Sequence, residues 1–307
     1  MEGPTLVLED APGEEVNKMD LDKILSAVIL IVLFYVLFYI GKKVNNLLNR
    51  DYNLTEELVE KDNPSVALAL TGYYAGLVIA IGGTLVGPSK GIIDDALDLC
   101  IYGLLCIILL NISWFICDKI ILYKFKVSDE LVRDRNMGTG AVSMGLSIAT
   151  GFMIYGAISG EGGNIWTAIG FWGIGQITLI LASFIYNLIT PYNIHDEIEK
   201  DNVAAGVSFS GALIGVGIIV GLAAEGDFVS WSENLYEYIT YSLAGLVLLP
   251  IIRTLTDKVL LPSVKLSNEI IGLKNNNEIE EKGPNVGAAF IEAFSYIAGA
   301  FIIYWCV

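Results

Sequence analysis

The chain has 307 residues, of which 54% are hydrophobic and 17% charged, with a formal net charge of −16 and a mean hydropathy of +0.61. Soluble domains carry about a quarter charged residues, so this composition excludes an ordinary soluble protein. The acidic balance excludes a nucleic-acid interface built on basic patches.

In chain order, residues 1–22 are acidic and lack the basic start of a cleavable signal. They are expected to form an extended extracytoplasmic tail, and the first apolar block to remain in the mature chain. Eight such blocks follow, at 24–40, 64–85, 92–117, 138–159, 165–189, 203–224, 236–255 and 284–306. About 20 apolar residues at 1.5 Å rise cross a hydrocarbon core of about 30 Å, so each block is a membrane-spanning helix. Glycine inside them is ordinary for membrane helices, and a lipid-facing strand would alternate instead. The first span carries "LFYVLFYI", whose aromatics suit lipid or its interface. "DYNLTEELVEKDN" leads into the second, which holds Gly72 and Gly76. The third contains Asn111 and ends in "CDKIILYKFKVSDEL", and the fifth contains Gln176. "PYNIHDEIEKDN" leads into the sixth, with Gly211, Gly215, Gly217 and Gly221. Arg253 lies near the end of the seventh, which closes with "TDKVLLPSVKLSNEI", and Glu292 lies inside the eighth.

Of the 18 Lys and Arg residues, all but Lys18, Lys23 and Lys90 lie in or beside the connections after spans 1, 3, 5 and 7. Lys and Arg mark the cytoplasmic side, which places those connections in the cytoplasm and both termini outside.

The connecting segments repeat. "EKDN" occurs at 60–63 and 199–202, and the glycine pattern that follows recurs at a spacing of 139 residues. The fourth and eighth spans match at a spacing of 149. The chain thus divides into a tail, 1–22, and two four-span repeats, 23–159 and 160–307. Both repeats enter the membrane in the same sense, the parallel kind related by a pseudo-twofold axis along the membrane normal. The small residues at Gly72, Gly76, Gly211, Gly215, Gly217 and Gly221 allow close backbone approach, so spans 2 and 6 are expected to meet near that axis. Each half divides again into two hairpins. "LTEEL", "VSDEL", "IHDEI" and "LSNEI" place Glu57, Glu130, Glu197 and Glu269 ahead of Asn63, Asn136, Asn202 and Asn285. The asparagines suit N-caps of the following spans, and Thr55, Ser128 and Ser267 suit caps of short helices. His195 stands where the other copies have Ser or Thr and reads as a degenerate cap.

The short acidic motif, the "DN" boundary, the small-residue span and the "DK" that closes the preceding helix resemble the bacterial inner-membrane family catalogued as domain of unknown function 350, in two tandem copies from residue 24 onward. The resemblance implies a four-span domain, often duplicated, in the bacterial plasma membrane. It implies no established activity and no residue roles. The fourth copy departs from the pattern, with "NNNEIEEKGPN" inserting residues before Asn285.

Ionisable groups inside a membrane are functional candidates by default. Glu292 and Arg253 stand opposite Ser143 and Trp114 in the repeat register, so acid and base appear together in one half and are absent together from the other. Pairing of Arg253 with Asp257 at i+4 is one expectation, and pairing with Glu292 across spans 7 and 8 another. The pair reads either as an ion pair fixing helix register or as a proton or cation site. Asn111 and Gln176 are amides suited to bonding between helices. Cys100, Cys106, Cys117 and Cys306 lie within spans without metal or disulfide spacing. No catalytic or nucleotide motif is present, so neither an enzyme, a cofactor nor a metal is expected. The partners expected are the lipid bilayer, a cation or small solute, and a second copy of the chain. The parallel repeats and the sparse intramembrane charge pair favour channel- or transporter-like movement of an ion or small solute. The alternative is a non-transporting scaffold or sensor that binds partners through its cytoplasmic loops.

Overall fold

A computed structural model describes residues 12–272 and 283–306, with side chains from Leu21 onward. The described residues are helical and contain no strand. The long helices are α1 (Pro12–Leu48), α2 (Pro64–Gly82) and α3 (Ile92–Ile116), then, past the short α4 (Val127–Val132), α5 (Met137–Ile158) and α6 (Ile165–Ile189). The short α7 (Ile194–Glu199) precedes α8 (Val203–Ala224) and α9 (Trp231–Leu255), and the short α10 (Leu266–Ile271) precedes α11 (Val286–Cys306). The eight long helices are the membrane spans.

Several boundaries differ from the apolar blocks. Helix α1 begins at Pro12 and its apolar part covers Leu21–Leu48, so much of the acidic tail is helical rather than extended. Proline suits the first helical turn, whereas the block was bounded by charge, which does not break helices. Residues 1–11 lie outside the described part, as does 273–282, which holds most of the inserted loop of the fourth copy. Helix α9 starts five residues early, because Ser230 Oγ accepts from Glu233 N at 3.3 Å. Helices α3 and α9 run on as π-helical turns, Cys117–Ile121 and Thr256–Leu260.

The caps of the short helices also differ. Thr55 makes no side-chain cap for the short π-helical turn Glu56–Glu60. Asn53 Oδ1 accepts from Thr55 N and Glu56 N, and Asn193 Oδ1 from His195 N and Asp196 N. In the other two copies the "DK" aspartates reach forward, Asp118 Oδ1 to Val127 N and Asp257 Oδ1 to Leu266 N, both within 2.8 Å. Ser128 instead donates to Asp51, and Ser267 accepts from Arg253. His195 sits second in α7 as a buried side chain, not as its cap.

Spans 2, 4, 6 and 8 (α2, α5, α8, α11) form a row. Each ninth residue after a capping asparagine in the first three is a glycine pressed on the backbone of the next helix: Gly72 on Met144, Gly145 on Ser210, Gly211 on Ala293. A side chain at any of these would collide with main chain or Cβ atoms, so the glycines set the helix separation. Helix α3 packs over α2 and α5, α6 over α5 and α8, and α9 over α8 and α11, while α1 rests on α3 and the edge of α2.

Spans 2 and 6 therefore do not meet at an axis: α5 stands between them. Gly72 and Gly76 face Met144 and Ser147 of α5; Gly217 and Gly221 face Ala149 and Phe152 of α5; Gly211 and Gly215 face Ala293 and Tyr296 of α11. Each helix shows one face to its predecessor and another to its successor. The two halves are related by the same step taken twice, not by a twofold contact. Helix α8, in the interior of the row, is buried from Ala204 to Gly221.

Candidate functional site

At the end of the molecule carrying the short motifs, each asparagine closes two connections, and the first three close a third. The Oδ1 of Asn63, Asn136, Asn202 and Asn285 accepts from the first turn of the span it caps, at Ser65, Thr139, Ala205 and Ala288. Its Nδ2 donates to the motif glutamate of the same hairpin, Glu57, Glu130, Glu197 or Glu269, at 2.8–3.0 Å. In the first three hairpins Nδ2 also donates to a carbonyl of the next one: Asn63 to Leu131 O (2.9 Å), Asn136 to Ile198 O (2.6 Å) and Asn202 to Ile270 O (3.0 Å). This is a one-way ladder along the row.

Glu57 and Glu130 are buried, and Glu197 and Glu269 are half-buried. Burial pushes the Glu57 carboxyl up, but bonds from Lys61 and Asn63 outweigh it and leave its pKa lowered. For Glu130 burial dominates over the Asn136 bond and the pKa is raised.

Deeper in the second half, α9 and α11 bring Arg253 and Glu292 together. Glu292 is completely buried and Arg253 is 7% exposed. Arg253 Nη1 donates to Glu292 Oε1, as do the hydroxyls of Tyr186 (3.3 Å) and Tyr296 (3.4 Å). Arg253 Nη2 donates to Ser267 Oγ at 3.1 Å and to Tyr192 OH at 3.5 Å. The guanidinium also lies 5.7 Å from the Tyr186 ring centre and 6.0 Å from that of Tyr192, within cation–π range. Glu292 Oε2 has no hydrogen-bond partner among the described residues. Arg253 does not pair with Asp257, whose Oδ1 is committed to the α10 cap.

Tyr186, Tyr192, Tyr296 and Ser267 complete this cluster and were missed in the sequence. Tyr296 was findable, four residues after Glu292 on one helix face. Tyr186 and Tyr192 come from another span and its loop, and no local spacing points to them.

Asn111 and Gln176 are not part of the cluster. Asn111 Nδ2 donates to Tyr73 OH (2.9 Å) and Ile107 O (2.7 Å), and Tyr73 donates to Gly41 O (3.1 Å), tying α3, α2 and α1 together. Gln176 Nε2 reaches Thr150 Oγ1 at 3.4 Å, and its Oε1 is buried without a partner among the described residues. In the first half Trp114 and Ser143 occupy the repeat positions of Arg253 and Glu292, with the Ser143 hydroxyl buried and unpartnered among the described residues.

A family model, the Domain of Unknown Function DUF350, matches residues 19–158 and again 162–307. The chain belongs to the DUF350 family. It carries the domain twice, in tandem. It is also similar to a UPF0719 transmembrane protein of Aquifex aeolicus (strain VF5), 22% identical over 260 residues, which is 83% of this chain and 90% of the relative. No solved structure matches.

Each DUF350 domain supplies two hairpins of the row, and the step between domains, Gly145 on Ser210, uses the same positions as the steps within them. The charged cluster belongs to the second DUF350 domain alone. At the junction, His195 Nε2 donates to Ile121 O of the first domain at 2.7 Å, which leaves its buried Nδ1 unprotonated and without a partner among the described residues. Burial lowers its pKa. At the opposite end from the asparagine ladder, both domains line a basin of about 1420 Å³ whose walls include Asp95, Asp98, Glu161, Glu225 and Asp227. Four of these acids are engaged: Asp95 with Ser89 and the Lys90 amide, Asp227 with the Glu161 amide, Glu225 with Tyr304, and Glu161 in an ion pair with Lys90 at 3.9 Å.

Proposed function

We propose that this DUF350 protein moves a proton, ion or small polar solute across the bilayer, with Glu292 and Arg253 as its working pair. The observation that carries the reading is the uneven bonding of one carboxylate. Oε1 of Glu292 collects three donors while Oε2, equally buried, has none among the described residues. An ionised oxygen left bare in a low-dielectric interior is expensive, and a proton or an entering cation relieves it. Protonation of Glu292 would also weaken its hold on Arg253. The guanidinium would then rest on Ser267 and Tyr192, next to α10 and the asparagine ladder. Binding at one member thereby alters the charge offered by the other, the property a coupled carrier needs. In this reading the membrane is a bacterial plasma membrane, the ladder faces the cytoplasm, both termini lie outside and no bond-making chemistry is involved.

The second reading is a non-transporting membrane scaffold. The interlocked glycine row favours it, because backbones in contact leave little room for a path between spans 2, 4, 6 and 8. The inward-turned Glu57 and Glu130 weigh against a scaffold that grips partners through its motif glutamates.

The deciding experiment is flux through purified protein in liposomes, under proton, potassium and anion gradients, beside Glu292→Gln. The proposal expects flux that the substitution reduces by at least tenfold. Flux indifferent to the substitution removes Glu292 as the site, and no flux of any tested species shifts the weight to the scaffold.

A further inference from the structure

The row has two ends, and they are built differently. Across the three internal steps, positions 4, 8, 15 and 19 after the capping asparagine face the preceding helix: Gly140, Met144, Gly151 and Tyr155 in α5, and Gly206, Ser210, Gly217 and Gly221 in α8. The same positions in α2 are Ala67, Thr71, Val78 and Gly82, and no helix precedes them. Thr71 and Val78 are exposed, Ala67 and Gly82 are half-buried, and a Cβ built on Gly82 meets nothing within 4 Å. Span 1 leaves this flank uncovered, since it lies against α3 and only the edge of α2.

At the other end, the ninth position after the capping asparagine is Phe294 and the twentieth is Trp305, 62% and 75% exposed. In the α5 helix these positions are Gly145 and Gly156, both in backbone contact with α8. Phe294 and Trp305 therefore prevent another unit from seating on α11, and head-to-tail growth is closed.

Thr71 supplies an independent observation. It lies eight residues past Asn63, about 12 Å into the span. The exposed threonines Thr240 and Thr254 and the half-buried Ser295 bond back to the preceding turn, at Tyr236 O, Pro250 O and Ile291 O. Thr71 makes no such bond and has no other hydrogen-bond partner among the described residues. A hydroxyl presented from a small-residue helix face inside a bilayer is the kind of group that bonds across helices.

We propose that this face of α2 pairs with the same face of a second copy, about a twofold axis along the membrane normal, with Thr71 beside Thr71 of its partner. The occupant follows from the row: in α5 and α8 these positions receive a helix of this same chain, and the complementary successor face, on α11, is blocked, which leaves the same face of a second copy. An isologous contact also closes at two copies, whereas a heterologous one would propagate. The inference is independent of the transport reading.

The test is cross-linking in native membranes in a background with Cys100→Ser and Cys306→Ser, comparing Thr71→Cys with Phe294→Cys. A dimer linked through Thr71→Cys and none through Phe294→Cys is the expected result. In nanodiscs the full-length protein should have the mass of two chains, and Thr71→Phe should halve it while leaving helix content and the unfolding temperature within a few degrees. A mass of one chain for the unaltered protein overturns the pairing. A dimer that cross-links through Phe294→Cys, or that survives Thr71→Phe, overturns the face.

Discussion

Arg253 and Glu292 show how unlike the two members of a buried pair are in what their removal exposes. Deleting one partner strands the other charge, which typically costs about 3–5 kcal/mol, while replacing both with apolar groups is often neutral. Arg253→Ala should therefore lower the unfolding temperature in detergent sharply, and Arg253→Met with Glu292→Leu should recover most of the loss. A loss in the double variant equal to the sum of the Arg253→Met and Glu292→Leu losses would show that the two residues act separately. His195 makes a prediction with a definite sign. Burial holds its folded pKa below the ordinary 6.5, so the unfolded chain binds the extra proton first. Stability is full above about pH 6.5 and falls as the pH drops through that value. The groups facing the ring are Lys124, Asp196 and Tyr123, the last 4.9 Å away between ring centres. Unfolding curves at pH 7.5 and 5.5 should differ less in His195→Gln, whose amide can donate to Ile121 O without titrating. At this scale the sequence was informative where chemistry is rare. An acid and a base that appear together in one repeat named the pair. Tyrosines are common in membrane spans, and nothing local separated Tyr186 from the lipid-facing Tyr35, which is 65% exposed.

At the scale of helices, the capping asparagines were legible because a cap is a local device, satisfied within one turn of its own residue. Their second role was not, since the carbonyls they reach lie 62 to 68 residues away. That role predicts a graded series. Asn136→Ala loses a cap and an inter-hairpin bond, Asn285→Ala loses a cap and no inter-hairpin bond, and the first should be about 1 kcal/mol more destabilising by thermal unfolding. The glycines were legible as points of close approach, but not as to which helix approaches. In lipid the outer faces of helices are as apolar as the inner ones, so periodicity does not orient them. Placing spans 2 and 6 together failed for that reason. The row itself predicts that Gly145→Leu abolishes folded expression, because its side chain would enter the backbone of α8, whereas Gly173→Leu on α6, with open space around it, should express at near the unaltered level.

At the scale of the whole molecule, eight spans and two tandem copies could be read from hydropathy and from the repeated boundary motifs. The architecture that joins them could not. A parallel duplication suggests a twofold, but the contacts follow a single directional step, made once within each DUF350 domain and once between them. The chain is consequently asymmetric within the plane of the membrane, with one closed end at Phe294 and Trp305 and one open end at Thr71.

The asparagine ladder carries a consequence for how the protein is made. Asn63 cannot complete its bonds until Leu131 has emerged and been inserted, Asn136 waits for Ile198, and Asn202 waits for Ile270. Among the described residues Asn285 waits for nothing, because there its Nδ2 bonds only within its own hairpin. Each newly synthesised hairpin thus secures the one before it, and assembly can follow translation from first hairpin to last, with no unit held back for a partner that is already past.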